Sequence, residues 1–237
     1  MTQQPQHHPQ DDLLISHATC NEHPAVTLLV SAHAALCSEC RRSVKDLEAV
    51  GAALFEHDCE LPVSAGARER ALAAIRAPQG STEGAGAALA PACAAGEPAC
   101  PPVAVDAATN AAATVEYVLA LRDDPAKGTW RWRAPGVSEV RLPLAWNGIP
   151  VSVIRLRSGL HIPQHTHNGR ELTLILAGSL RDAHATYRAG DVADYDQSIS
   201  HDQFVDSAED CLCLVVNQSR LVPQTVLGHA LAWIAGA

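Results

Sequence analysis

The chain has 237 residues, a formal net charge of −9 and no cluster of basic residues, which argues against direct binding to nucleic acid. Hydrophobic residues make up 47% of it, enough for a substantial core, but no apolar run approaches the roughly 18 residues of a membrane span. The first ten residues are polar and contain no secretion signal. We therefore expect a cytoplasmic protein whose eight cysteines stay reduced.

Residues 11–76 have the pattern of a small helical domain. Two aspartates open a helical segment at Asp11, and Pro24 suits the first turn of a second one. Apolar residues then recur at near-helical spacing between Val44 and Leu54. These signals predict an all-α N-terminal domain.

The composition changes after this segment. Residues 77–103 are rich in alanine, glycine and proline and contain almost no large apolar side chain, which predicts a flexible linker. From about residue 114, short runs with a period near two are bounded by turn residues, as in an all-β sandwich or barrel. The sequence therefore predicts a helical domain at 1–76 and a β-domain at 104–237.

The helical segment contains three potential metal ligands in the spacing H-x3-C-x2-C: His33, Cys37 and Cys40. They would share one face of a continuous helix and would equally converge at a helix junction. Two thiolates and one imidazole are typical of zinc, which takes four ligands in structural sites. The alternative is that the cysteines are core thiols and the histidine is exposed. Candidates for the fourth ligand are His7, His8, His17, Cys20 and His23.

A second group of potential ligands lies in the β-domain. Gly159, His165, His167, Glu171 and Gly178 have the spacing G-x5-H-x-H-x3-E-x6-G, which resembles the first sequence motif of the cupin family. A strand carrying H-x-H presents both imidazoles on one face. The glutamate follows a turn and can return a carboxylate from the next strand. The resemblance implies a cupin barrel, a double-stranded β-helix of the jelly-roll type.

The second cupin motif would supply one more histidine. Gly190 and His201 have the cupin spacing G-x10-H, although Asp196, Ser198 and Val205 replace the family's usual proline, glycine and asparagine. These replacements affect the shape of the turn and leave the ligand set intact. The resemblance implies a metal site for Zn, Fe, Mn or Ni with open coordination positions. Its ligands would be His165, His167, Glu171 and His201.

Other cysteines and histidines have plainer interpretations. Cys211 and Cys213 alternate along an apolar strand and share one face, which favours core thiols over a redox or metal-proximal role. His161 and His184 are expected at the surface. The alternative to the cupin metal site as a whole is that its histidines are ordinary surface residues of strands.

The combination of an N-terminal H-x3-C-x2-C motif, a linker and a C-terminal cupin motif resembles the ChrR family of zinc-binding anti-sigma factors. The resemblance covers nearly the whole chain. In that family the fourth zinc ligand is a histidine just before the first helix. His8 lies 25 residues before His33 and directly precedes the first helical segment, so the resemblance implies His8, with His7 as the other choice.

The family also implies a function. The chain would be a regulator and not an enzyme: its N-terminal domain would bind a sigma factor of RNA polymerase, of the extracytoplasmic-function type. The cupin domain would receive an oxidative signal, singlet oxygen or organic peroxide, that releases the sigma factor. The alternative is a cupin dioxygenase or isomerase with a zinc-binding appendage. A sigma-factor gene immediately upstream would favour the regulator, and a catabolic gene cluster would favour the enzyme.

Overall fold

The computed structural model describes residues 4–56, 64–76, 105–142, 149–167, 169–217 and 221–223. It contains two compact units, one formed by residues 1–53 together with 105–237 and the other by residues 54–104. The predicted linker, including Cys93 and Cys100, lies outside the described residues. The division at 76 and 104 therefore stays a prediction.

Within the described residues, five α-helices precede the strands: α1 (Asp11–Ala18), α2 (Pro24–Leu36), α3 (Ser38–Glu56), α4 (Ala67–Arg76) and α5 (Val105–Asp123). The helical prediction for residues 11–76 is thus confirmed for the described part of that segment. Helix α2 starts at Pro24, which suits the first helical position. It is buried on nearly all sides, as its almost wholly apolar sequence predicts. No helix in the described part of the chain is long and apolar enough to cross a membrane.

Helix α5 differs from the sequence prediction. Strands were predicted from about residue 114, but this helix continues to Asp123. Its first half is rich in alanine, the strongest helix former, which favours a helix here. Val118 and Leu121, three residues apart, are fully buried in the core that also contains α2. Helix α5 therefore packs on α2 and on the strands that follow. A short 3-10 helix at Pro125–Lys127 connects it to the first of these strands.

Eleven strands follow in the described residues: β1 (Arg131–Ala134), β2 (Val137–Arg141), β3 (Val151–Leu156), β4 (His161–His167), β5 (Glu171–Ala177), β6 (Ser179–Arg181), β7 (Thr186–Arg188), β8 (Val192–Tyr195), β9 (His201–Phe204), β10 (Cys211–Asn217) and β11 (Leu221–Pro223). They form a six-stranded sheet in the order β1-β2-β3-β10-β5-β8 and a five-stranded sheet in the order β11-β4-β9-β6-β7. Neighbouring strands run antiparallel. The predicted two-part fold, helices followed by a β-domain of cupin type, is confirmed.

The six-stranded sheet has one face toward the helices and one toward the interior of the barrel. Along β5, Leu172 and Leu174 belong to the same core as Leu28 and Leu29 of α2, whereas Ile175 belongs to the core inside the barrel. This alternation follows from the two-residue period of a strand. Helices α1, α2 and α5 and the first half of α3 therefore share one hydrophobic core with the barrel, an arrangement that the sequence did not predict.

Candidate metal centres

The first candidate centre lies where the N-terminal arm meets the junction of α2 and α3. His8, His33, Cys37 and Cys40 each present one ligand atom, and these atoms lie within 4.8 Å of one another. The backbone is extended at Cys37, between the two helices, so the three motif residues converge at a junction and not along one continuous helix. Nδ1 of His8 lies 3.5 Å from Sγ of Cys37 and 3.3 Å from Sγ of Cys40.

His33 is held in the tautomer that a metal ligand requires. Its Nδ1–H donates a hydrogen bond of 2.8 Å to the backbone carbonyl of Gly190, which leaves the lone pair on Nε2. That Nε2 atom is buried and has no hydrogen-bond partner within the described part of the chain. Burial lowers the pKa of His33 to about 4, so the imidazole is neutral at physiological pH. A metal ion would satisfy this buried nitrogen.

The two thiols complete a donor set that suits zinc. Burial and the neighbouring Cys37 raise the pKa of Cys40 to about 12, so a metal has to displace a proton in order to bind the thiolate. Two sulfur and two nitrogen donors fit the tetrahedral coordination of structural zinc and leave no position for water or substrate. The residues present therefore fit a structural zinc ion.

The other candidates for the fourth ligand lie elsewhere. His7 turns away from the cysteines: its Nδ1 is 3.3 Å from Oδ2 of Asp191, and its ring packs on Tyr187 at 4.7 Å between centroids. Cys20 is exposed, and the ring of His23 accepts a hydrogen bond from the first turn of α2. His17 lies on α1, outside the group of four. Of the five candidates, His8 is the one that joins the motif residues.

The second candidate centre lies inside the barrel and consists of His165, His167 and His201. One ligand atom from each of these buried histidines lies within 4.8 Å of the others. Strand β4 presents His165 and His167 on one face, as the H-x-H spacing predicts, and β9 places His201 opposite His165. The pairing of these two strands thus assembles the group.

The geometry of the three histidines is compatible with a common metal ion. Nε2 of His167 and Nε2 of His201 face each other at 3.2 Å. Two nitrogen ligands at the usual zinc distance lie about 3.0–3.4 Å apart, depending on the coordination angle. His165 donates its Nδ1–H to the carbonyl of Pro163 at 2.9 Å, which leaves Nε2 as the ligand atom. Burial and the neighbouring imidazoles lower the pKa of His167 to about 3 and of His201 to about 4, so both are neutral.

Glu171 adjoins this group without joining its convergent atoms. It begins β5, as predicted, and its Oε2 lies 3.3 Å from Nδ1 of His167, on the side of the ring away from His201. Burial raises the pKa of Glu171 to about 7, against the lowering effect of a hydrogen bond with Thr173. Its role as a direct ligand stays a prediction.

Sequence reasoning missed two residues beside His201. The ring of Tyr195 packs on the imidazole of His201 at 4.1 Å between centroids, and its hydroxyl donates to Asp182 at 2.5 Å. Oδ2 of Asp182 is in turn 3.9 Å from Nδ1 of His201. Neither residue belongs to a ligand motif, so only the folded structure reveals them.

Cys211 and Cys213 lie buried on β10 with their sulfurs 3.5 Å apart. The hydrogen bond with Cys211 and burial raise the pKa of Cys213. Both belong to the core inside the barrel, as the core-thiol interpretation expects.

The comparisons with known proteins relate almost the full chain to a single family. Residues 122–220 match the family model of the ChrR cupin-like domain. The anti-sigma-E factor ChrR from Cereibacter sphaeroides is 31% identical over 219 residues, which is 91% of each chain. A crystal structure of Rhodobacter sphaeroides SigE in complex with the anti-sigma ChrR is similar with a TM-score of 0.67 and 26% identity, covering 90% of this chain and 99% of that chain. The chain belongs to the ChrR family of anti-sigma factors.

Proposed function

We propose that this protein is a cytoplasmic anti-sigma factor that binds a sigma factor of the extracytoplasmic-function type and keeps it from core RNA polymerase. The observation that carries the proposal is the similarity to ChrR over 91% of both chains, together with the structure of ChrR in complex with SigE. The negative charge of the chain supports it, because a sigma factor presents basic DNA-binding surface. The binding domain would be residues 1–76, joined by the linker 77–103 to a cupin domain at 104–237.

The second half of α3 supports a binding role for the helical domain. Val50, Leu54 and Phe55 are 59%, 70% and 81% exposed, although all three are large and apolar. The first half of the same helix buries Cys40 and Val44. Adjacent exposed apolar side chains on one helix are typical of a surface that a protein partner covers. We assign this surface to the sigma factor.

Zinc in the N-terminal centre would have a structural role. His8, His33, Cys37 and Cys40 would bind it and so fix the arm, the end of α2 and the start of α3 relative to one another. Because small domains have limited cores, loss of this ion would disturb the surface offered to the sigma factor.

The cupin centre would receive the signal. His165, His167 and His201, with Glu171 beside them, would hold a divalent metal, zinc or else iron, manganese or nickel, with positions open to a small molecule. The signal would be oxidative, singlet oxygen or an organic peroxide. It would favour a state of the protein that no longer holds the sigma factor.

An enzymatic function is the less favoured alternative. The same histidine ligands serve catalysis in other cupins, but helices α1 and α2 and the first half of α3 share a hydrophobic core with the barrel and are not a detachable appendage. An enzyme would have no evident need for the exposed apolar residues of α3 or for a closed zinc centre.

Binding to the sigma factor tests the proposal. The purified full chain and an extracytoplasmic-function sigma factor from the same organism should form a one-to-one complex in size-exclusion chromatography with light scattering. Leu54→Asp and Phe55→Asp should weaken the complex at least about tenfold, as for central interface residues. Trp132→Asp is the control, because Trp132 is 65% exposed on β1 of the barrel. Absence of a complex, or loss of binding in the control alone, would contradict the proposal.

A further inference from the structure

The N-terminal arm, residues 4–8, lies along the edge of the barrel. Strand β8 is an edge strand of the six-stranded sheet, and the N–H of Val192 at its start donates to the carbonyl of His7 at 3.0 Å. Sheet edges are usually covered or paired, and here the arm gives β8 a partner. His8, the proposed zinc ligand, is the next residue of the arm.

Asp191 binds the arm through its carboxylate. Oδ1 accepts hydrogen bonds from the backbone N–H groups of Gln6 at 2.6 Å and His7 at 3.1 Å. Oδ2 accepts from the N–H of Arg188 at 2.8 Å and lies 3.3 Å from Nδ1 of His7. The carboxylate is almost fully buried, and hydrogen bonds from N–H groups to a buried carboxylate are strong. The arm is therefore fixed directly before His8.

Gly190 lies against both His33 and the arm that carries His8. Its carbonyl accepts the Nδ1–H of His33 at 2.8 Å. Its φ of +97° favours glycine, and a Cβ at this position would lie 2.7 Å from Cγ of Pro5 in the arm. The absence of a side chain thus lets the arm pass directly over the turn before β8.

We propose that Gly190 and Asp191, two residues of the cupin barrel, are positioning residues of the N-terminal zinc centre. Gly190 orients the imidazole of His33, and Asp191 holds the arm that carries His8. The helices position the two cysteines, but both histidines depend on the barrel. The centre is complete only while the arm lies on β8.

Strand β8 connects the barrel centre with the proposed zinc centre. Strand β8 begins next to Asp191 and ends at Tyr195, whose ring packs on His201 of the barrel centre. A movement of β8 therefore changes the supports of His33 and His8 together. The inference rests on the proposed zinc centre and adds to it the residues through which the cupin domain acts on it.

Cobalt substitution of the full chain provides a readout specific to this centre. Cobalt bound by Cys37 and Cys40 gives a thiolate-to-metal charge-transfer absorption, which the histidine group of the barrel does not. Decay of this absorption after addition of excess EDTA measures the loss of metal. Asp191→Asn should accelerate the decay about 10- to 100-fold, the usual effect of losing a group that supports a ligand. Asp210→Asn is the control, because Asp210 likewise accepts a hydrogen bond from a backbone N–H, that of Ser158, but its other hydrogen bond comes from the side chain of Arg155 in the barrel and not from the arm.

A second pair of variants separates the arm from general damage to the barrel. Gly190→Ala introduces backbone strain and a clash with Pro5, and should also accelerate the loss of cobalt. Adding Pro5→Ala removes the clash, although it leaves the backbone strain at residue 190. Because the clash is gone, the double variant should lose cobalt at a rate much closer to that of the wild type. Pro5→Ala alone should change the rate by less than about twofold.

The outcomes distinguish the inference from the proposed function. Wild-type rates in both Asp191→Asn and Gly190→Ala would overturn the inference and leave the zinc centre standing. Equal acceleration in Asp210→Asn, or no recovery with Pro5→Ala, would also overturn it, because the effect would then come from the barrel as a whole. Absence of the charge-transfer absorption in the wild type would refute the zinc centre itself. If Asp191→Asn does not fold, the Gly190 and Pro5 variants decide alone.

Discussion

Nη1 of Arg170, the residue before Glu171 in the barrel, donates a hydrogen bond of 2.7 Å to Oδ2 of Asp12 in helix α1. The same guanidinium donates from Nη2 to Asp194 of β8 at 2.6 Å. These partners raise the pKa of Arg170 and lower that of Asp12. One side chain therefore ties the first helix to the strand that also holds the arm.

The two acidic partners should differ in their effect on stability. Arg170→Gln leaves the largely buried carboxylate of Asp194 without its cation, and should lower the free energy of unfolding by about 2 kcal/mol or more. Asp12→Asn removes only the exposed pair and should cost less than about 1 kcal/mol. Urea titrations of the full chain measure both values. Equal losses in the two variants would show that Arg170 acts mainly through Asp12 and α1.

Zinc analysis of the full chain tests the N-terminal ligands. The Cys37→Ser/Cys40→Ser double variant should contain one zinc ion fewer per chain than the wild type, because both sulfur donors are lost. Cys20→Ser should retain the wild-type content, since Cys20 is exposed and outside the centre. Elemental analysis after dialysis gives the stoichiometry. An unchanged zinc content in the double variant would refute the assignment.

The buried histidines predict that the metal-free protein becomes less stable in acid. Burial lowers the pKa of His33 and of His201 to about 4, against about 6.5 in the unfolded chain. Between these values the unfolded state binds more protons, so the free energy of unfolding falls as the pH decreases from 6.5 toward 4. Each histidine contributes a slope of up to about 1.4 kcal/mol per pH unit.

Urea titrations of EDTA-treated full chain at several pH values check this slope. His201→Gln should flatten the profile, because one buried imidazole no longer takes up a proton on unfolding. His161→Gln is the matched control, since His161 is exposed on the neighbouring strand. A stability that does not change across this range would show that the histidines are not held neutral by the fold.

Variants of the two centres should have different effects in a strain whose reporter gene depends on the sigma factor. His165→Ala and His167→Ala should repress the reporter as the wild type does in the absence of oxidant, and should respond weakly to singlet oxygen or organic peroxide. His33→Ala and Cys37→Ala should lose repression even without oxidant, because the helical domain is then disturbed. Immunoblots confirm equal protein levels. Normal induction in a cupin variant shown to lack metal would exclude this metal as the sensor and turn attention to Cys211 and Cys213.

Short-range patterns in the sequence predicted much of the architecture. The two-residue period identified His165 and His167 as neighbours on one strand face, and the cupin spacing identified His201 correctly as their companion in space. His8 required the family resemblance, because nothing local distinguishes it from His7. Their different directions arise only when the arm binds β8.

The long-range contacts could not be predicted from the sequence. Asp191 and Gln6 are separated by 185 residues, and no periodicity connects them. The shared core of helices and barrel was missed for the same reason, since apolar residues in α2 do not reveal which sheet they cover. Helix α5 was missed for a different reason: its alanines directly follow the alanine-rich linker without a break in composition, and its last residues lie where the strands were predicted to begin.

The most direct measurement of the central claim is transcription in vitro by core RNA polymerase and the cognate sigma factor from a promoter that the sigma factor recognises. The full chain, present in equal amount to the sigma factor, should abolish the transcript, and the Cys37→Ser/Cys40→Ser variant should not. Transcription from a promoter of the housekeeping sigma factor should continue in both. Undiminished transcription in the presence of a several-fold excess of the zinc-loaded wild-type chain would contradict the anti-sigma function.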